Sequence, residues 1–385
     1  MNEEKQTIYR IGPIRPPSEA NSLLLQITEG CTWNRCKFCG LYKHEGFKAF
    51  TVESIKQDID VMAEYAEMAK EFQNADGSWD KRAMMASLET MNREEQTCYY
   101  LIYRWLTHGG ENVFLQDGNS LAVKTEKVLE VLTYLREKLP SIRRVTTYGR
   151  AETLSKISVE QYKELKAAGL DRIHSGFESG SDQVLELINK GVTAEREITA
   201  GKNIKAAGIE LSVYFMPGIG GKEYTRENAL ETARVISEIN PDFVRIRTAV
   251  VKEGTELWQD VVKGTFKICS ENEKLKEIRL LLENISPHCN GILASDHMIN
   301  LLQDVEGKLD GDRSKMLALI DDYFSMPESK QKIFQLARRS GLVNRLEDLD
   351  QLPDYQMERI GKLTRATGDD EAWDAKMNLM MTDFI

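Results

Sequence analysis

The sequence predicts an α/β fold: a partial TIM-like (β/α)6 barrel with a helical insertion after strand one and a C-terminal helical region. Three observations predict it. From residue 111 onward, short apolar runs alternate strictly with amphipathic helical stretches. Lys166-Ala167-Ala168-Gly169-Leu170 recurs 39 residues later as Lys205-Ala206-Ala207-Gly208-Ile209. Each copy reads as helix end, glycine cap and strand entry, so the period is one αβ unit. Finally, five of the strands run out into a polar or glycine-rich cluster, as parallel α/β architectures place their ligand sites. A doubly wound sheet is the alternative arrangement of the same elements.

Taken in order, residues 1–20 form a lead-in, because Ile11-Gly12-Pro13-Ile14-Arg15-Pro16-Pro17 holds neither a regular helix nor a central strand. Ser22–Thr28 reads as the first, buried strand, with Glu29-Gly30 leading out of it. A helix opens at Thr51 and runs from Val52 to about Phe72, with Ile55, Ile59, Val61, Met62 and Tyr65 at helical spacing. Residues 73–110 interrupt the pattern as a helical insertion. Strands then follow at Asn112–Gln116, Arg144–Tyr148, Asp171–Phe177, Ile209–Met216 and Phe243–Thr248. The helices between them cover Lys124–Leu139, Ser158–Ala168 with a Ser158/Gln161 capping box, Ala194–Ala207 and Thr225–Ile239. The core therefore spans 21–265, and 266–385 reads as a separate helical region.

Composition narrows the function classes. The chain has 385 residues, 41% hydrophobic and 29% charged, which is globular usage with a substantial core. A net charge of −10 argues against a surface built mainly for nucleic acid. No apolar run approaches membrane-spanning length and the first residues are no signal peptide, so a cytoplasmic, reducing setting is expected.

The chemistry concentrates in Cys31-Thr32-Trp33-Asn34-Arg35-Cys36-Lys37-Phe38-Cys39-Gly40, where three cysteines are spaced C-x4-C-x2-C. Three thiolates on a loop leaving a strand suit a soft metal or an iron–sulfur cluster. An odd number excludes a closed disulfide set. A structural Cys3His zinc site with His44 as fourth ligand is one alternative. The other strand ends supply Asp117-Gly118-Asn119-Ser120, Tyr148-Gly149-Arg150, Glu178-Ser179-Gly180-Ser181 and Met216-Pro217-Gly218-Ile219-Gly220-Gly221, all expected at one mouth. On the last strand Arg245 and Arg247 share a face with Phe243, which points to an anionic substrate or cofactor group. Cys98, Cys269 and Cys289 are too scattered for a second cluster and read as single buried thiols. His288 and His297 flank Ser295-Asp296 in the tail.

A cysteine triplet after strand one, followed by Glu178-Ser179-Gly180-Ser181 after strand four, resembles the radical SAM superfamily over residues 21–250. Within it the likeness is to an uncharacterised branch near the tRNA-modifying and coproporphyrinogen-dehydrogenase-like members. Most of the superfamily spaces its triplet C-x3-C-x2-C, so the extra residue before Cys36 marks a subgroup. The coproporphyrinogen-dehydrogenase-like members usually add a cysteine two residues after the triplet, where this chain has Leu41.

The resemblance implies that Cys31, Cys36 and Cys39 ligate a [4Fe-4S] cluster whose fourth iron is chelated by S-adenosylmethionine. It implies contacts to that molecule from Phe38, Asp117, Arg150, Glu178, Ser179, Met216 and Gly218, with Arg247 as a further candidate. Gly109-Gly110-Glu111 has the composition of the superfamily's amino-group motif but precedes its strand, so Asp117 is the better candidate. Reductive cleavage to a 5′-deoxyadenosyl radical is then the expected activity, with an electron donor such as flavodoxin or ferredoxin as partner. The resemblance assigns no catalytic residue and no substrate. A non-catalytic iron–sulfur or haem-handling protein on the same fold is the other alternative.

Overall fold

The computed structural model describes residues 6–43 and 45–384. The chain forms two compact units. The first comprises residues through Thr32, the stretch ending at His174, and Ala206–Glu210. The second comprises Trp33–Lys43, Ser175–Lys205 and the chain from Leu211 onward.

In the first unit, β1 (Leu23–Gln26) is buried at every position, which explains its continuous apolar run in place of alternation. The expected strand 22–28 is in fact interrupted at Ile27. Beyond it, β2 (Thr28–Glu29) pairs antiparallel with β3 (Lys48–Ala49). α1 (Val52–Lys70) begins where the Thr51 hydroxyl accepts from the Ser54 N–H, and it buries Ile55, Ile59, Met62 and Tyr65. The stretch expected as an insertion contains α2 (Lys81–Ser87) and α3 (Arg93–Thr107). An Asn92/Glu95 capping box starts the latter, a device typically worth about 1 kcal/mol.

β4 (Asn112–Gln116) runs parallel to β1, with Leu23 opposite Val113 and Gln26 opposite Gln116. After α4 (Thr125–Lys138) comes β5 (Arg144–Tyr148), parallel to β4. Then follow α5 (Ala151–Leu154), α6 (Val159–Ala167) with its Ser158/Gln161 capping box, and β6 (Leu170–Glu178), parallel to β5. The lead-in is anchored on β4. The Gln116 amide donates to the Gly12 and Ile14 carbonyls while its oxygen accepts from the Gly12 N–H.

The second unit continues with α7 (Asp182–Leu187), α8 (Ala194–Ala206), β7 (Glu210–Phe215), α9 (Thr225–Ile239) and β8 (Phe243–Ile246). Next come α10 (Glu256–Val262), α11 (Glu271–Asn284), β9 (Ile292–Ala294) and β10 (Gly307–Lys308). The chain finishes with α12 (Arg313–Ser325), α13 (Glu328–Arg339), α14 (Asp354–Ala366) and α15 (Asp370–Met381). β7, β8 and β9 are parallel neighbours, and β10 joins β9 antiparallel. One face of these strands is buried, with Leu211, Val213, Phe215, Val244, Ile246 and Leu293 packed as core. The opposite face carries Ser212, Tyr214, Phe243, Arg245 and Ala294.

The fold is therefore the expected α/β class, with a mostly parallel sheet and helices between the strands. Among the described residues no helix is long and apolar enough to cross a membrane.

Candidate functional site

In the first unit the loops after β1, β4 and β5 are tied together by one buried amide. Asn119 donates to the Thr32 hydroxyl at 2.8 Å and to the Thr153 hydroxyl at 2.8 Å. Its oxygen accepts from the Arg150 N–H at 3.0 Å. Thr32 directly follows Cys31, so this amide fixes the start of the cysteine loop against two other strand ends. Asp117, fully buried, accepts weakly from the Gly30 N–H at 3.4 Å, and its own N–H donates to Thr28. Ser120 closes the same turn by donating to the Leu115 carbonyl. Arg150 is half-buried and immediately precedes α5.

In the second unit the rest of the cysteine loop is held from both sides. The Lys37 N–H donates to the Ile188 carbonyl, the Lys37 carbonyl accepts from the Leu257 N–H, and the Lys37 ammonium pairs with Asp260 at 2.8 Å. The Trp33 indole N–H donates to the Asn189 carbonyl at 2.7 Å. Gly191 lies against that ring at φ +69°, where a Cβ would come within 2.4 Å of it. Only glycine satisfies both conditions. Phe38 packs against the cluster of Ile188, Met216, Ile219, Leu257 and their neighbours.

Beside Phe38 lies a group that the motif reading overlooked. The Lys190 ammonium sits 5.7 Å from the Phe38 ring centroid and donates to Glu178 Oε1 at 2.9 Å. Glu178 itself has φ +69°, a costly conformation for a residue with a side chain. Glu197 is buried in the same neighbourhood. Burial pushes its carboxyl well above the ordinary range, the Lys190 charge opposes that, and neither oxygen has a hydrogen-bond partner. Ser179 accepts from the Ser181 N–H, and Ser181 caps α7 by accepting from the Val184 N–H.

After β7, the Met216 N–H donates to the Glu178 carbonyl. Gly218, at φ +86°, donates its N–H to Glu277 Oε2 at 2.9 Å. Glu277 also accepts from the Asn228 amide, and burial pushes its carboxyl up to about 8. Of the two arginines expected on one face of β8, Arg245 is engaged. It pairs with Asp296 at 2.9 Å and donates to the Ser212 hydroxyl. Arg247 is half-buried and makes no side-chain hydrogen bond or ion pair among the described residues.

The six cysteines separate by environment. None of the six forms a disulfide; Cys31, Cys36 and Cys39 are partly exposed, whereas Cys98, Cys269 and Cys289 are buried. Burial raises all three buried thiols, Cys269 most strongly, which disfavours the thiolate needed for metal ligation. The loop thiols are thus the donor set whose chemistry fits an iron–sulfur cluster. Among the described residues no three His, Cys, Asp or Glu side chains are already drawn around a common point. His44, the fourth donor of the zinc alternative, lies outside the described residues.

The sequence profile of the Radical SAM superfamily matches residues 25–236. The chain belongs to that superfamily, whose enzymes use a [4Fe-4S] cluster and S-adenosylmethionine. Among curated relatives, the tRNA uridine(34) acetyltransferase of Methanocaldococcus infernus is 28% identical over 122 residues, 31% of this chain and 23% of that protein. The tRNA-2-methylthio-N(6)-dimethylallyladenosine synthase of Syntrophus aciditrophicus is 28% identical over 179 residues, 45% of this chain and 38% of that protein. The chain thus spans well under half the length of these relatives. Among solved structures, coproporphyrinogen III oxidase from Escherichia coli superposes with a TM-score of 0.45 at 16% identity, over 68% of this chain and 51% of that one. Methylornithine synthase does so with a TM-score of 0.42 at 13% identity, over 88% and 86%.

Proposed function

We propose that this chain binds a [4Fe-4S] cluster through Cys31, Cys36 and Cys39 and reductively cleaves S-adenosylmethionine to modify a substrate that carries an anionic group. The observation that carries the reading is the separation of the thiols. The three on the loop are partly exposed and in no disulfide, while the other three are buried and held protonated. When bound, the cluster and S-adenosylmethionine supply a 5′-deoxyadenosyl radical and methionine, at the expense of one electron from an external reductant such as flavodoxin or ferredoxin.

The chain's own residues bind and orient. In the first unit, Asp117 is the carboxylate for an ammonium group, and Arg150 is a cation for a carboxylate. In the second, Phe38 offers an aromatic wall, and the buried Lys190 is a second cation for a carboxylate. Glu178, held by Lys190, offers its other oxygen to a hydroxyl, with Ser179 beside it. Met216 and Gly218 bring backbone within reach of a flat heterocycle, because Gly218 has no side chain to keep it away. The domain limits proposed are a lead-in at 1–20, a core at 21–265 with an insertion at 73–110, and a tail at 266–385.

The test is iron and acid-labile sulfide after anaerobic reconstitution. About four of each per chain are expected, with loss of both in Cys31→Ala, Cys36→Ala and Cys39→Ala. Stoichiometric zinc without sulfide would refute the reading in favour of the Cys3His site.

A further inference from the structure

The carboxyl ends of β8 and β9 carry Arg245, which pairs with Asp296, and Arg247, which the resemblance offers only as a further candidate contact to S-adenosylmethionine. Arg247 lies just past the end of β8, next to Thr248, which is bonded to Asn300 of the loop after β9. Asp296 is spent on Arg245. Arg247 is left half-buried with an unengaged guanidinium among the described residues. Such a group has been taken partly out of water without a counter-charge, which is unfavourable unless an anion completes it.

His297 lies in the field of that guanidinium. Its Nδ1 accepts from the Ile299 N–H at 3.3 Å, which leaves the ring proton on Nε2 as a donor. Burial and the neighbouring Arg247 hold the imidazole down to about 4, so it is neutral at physiological pH. The loop that carries it is rigid. Asn300 accepts from the Thr248 N–H and hydroxyl and donates to the Ile246 carbonyl. Arg338, from α13, donates to the Met298 and Asn300 carbonyls and to Gln303. A charged fork and a neutral donor held on fixed backbone are the elements of a preorganised oxyanion site.

We infer that Arg247 and His297 bind an oxyanion of the substrate, a phosphate or a carboxylate, separately from S-adenosylmethionine. This rests on the enzymatic reading above and adds to it the chemical class of the substrate. Arg247 supplies the charge and two parallel N–H donors, and His297 supplies one more N–H without adding charge. Arg245 engages Asp296, whose carboxylate also acts on His297.

The experiment is a thermal-unfolding titration of the reconstituted full chain with sodium phosphate, sodium acetate and sodium chloride at matched ionic strength. It is done with and without saturating S-adenosylmethionine, and iron is measured on the same samples. Phosphate or acetate is expected to raise the midpoint where chloride does not, and the rise should persist with S-adenosylmethionine present. Response to phosphate alone identifies a phosphoryl substrate, and response to acetate identifies a carboxylate. Arg247→Gln should weaken the apparent affinity about tenfold or more, and Arg247→Lys, which keeps the charge but loses the fork, by less. No response to either anion, an undiminished response in both variants, or abolition of the response by S-adenosylmethionine would overturn the inference. A chain without iron would instead defeat the cluster reading while leaving the anion result to stand.

Discussion

Lys190 donates to Glu178 across 2.9 Å, with the two side chains only 10% and 11% exposed. The pair spans α7, and the unpartnered carboxyl of Glu197 is buried nearby. One cation therefore serves two carboxyl groups in a region with little water. It stands beside Phe38, between the second and third cysteines of the loop.

Removing that cation should be expensive. Lys190→Met leaves Glu178 buried without its partner, at an expected cost of about 3–5 kcal/mol, read as a lower urea midpoint at pH 7. Lys190→Arg should retain most of the stability. The double variant Lys190→Met/Glu178→Gln should recover part of the loss, because neither member is then an unpaired charge. A single-variant loss below about 1 kcal/mol, the range of an exposed pair, would contradict the pairing.

Asn119 ties three loops with three hydrogen bonds. Asn119→Ala should lower stability by about 2 kcal/mol or more, since the Thr32 and Thr153 hydroxyls and the Arg150 N–H lose their partner. Because Thr32 adjoins Cys31, iron retention after gel filtration should fall as well. Asn119→Asp, which cannot donate to the hydroxyls but keeps an acceptor for the Arg150 N–H, should lose less than alanine. Full iron retention in both variants would mean that the amide does not position the cysteine loop.

Much of this arrangement is legible in the sequence, and the omissions have physical reasons. β4 and α9 fall at the expected limits, because their patterns are complete within the element and polar residues bound them. The Ser158/Gln161 capping box is a local signal and appears as read. β9 announces itself poorly, as a three-residue run has no period to detect. Without β9 beside β8, Asp296 could not be assigned as the partner of Arg245. Lys190 has no local signature at all. It reaches Glu178 only because α7 folds the intervening chain back on itself. The Asn119 ties are equally non-local, since they join loops that follow three different strands.

Glu277 should give stability a pH dependence of a particular sign. Its carboxyl is raised by burial to about 8 in the folded chain, from an ordinary value near 4.5. Between those two pH values the folded state binds more protons than the unfolded one, so stability falls as pH rises through that window. Each pH unit between the two carries about 1.4 kcal/mol. Glu277→Gln should flatten the dependence between pH 5 and pH 8 and be more stable than the parent at the upper end, measured by urea unfolding across the range. An unchanged slope in the variant would show that Glu277 does not titrate there.

Gly191→Ala should act on the cysteine loop through packing. A Cβ at φ +69° is strained and meets the Trp33 ring at 2.4 Å, so the ring must move or the backbone must shift, at a cost of about 1–3 kcal/mol. The Trp33 indole should then lose its bond to Asn189 and become accessible to acrylamide quenching, with lower cluster occupancy. Trp33→Phe, which removes the hydrogen bond but less of the bulk, should be milder. Unchanged quenching in Gly191→Ala would contradict the contact.

The central claim is that Cys31, Cys36 and Cys39 serve reductive cleavage of S-adenosylmethionine. The most direct measurement is 5′-deoxyadenosine and methionine, quantified by mass spectrometry after anaerobic reduction of the reconstituted chain with dithionite in the presence of S-adenosylmethionine. Both products should form in equal amounts with the parent and neither with Cys36→Ala. A parent that holds a full [4Fe-4S] cluster yet releases no 5′-deoxyadenosine, or a Cys36→Ala variant that releases as much as the parent, would contradict it.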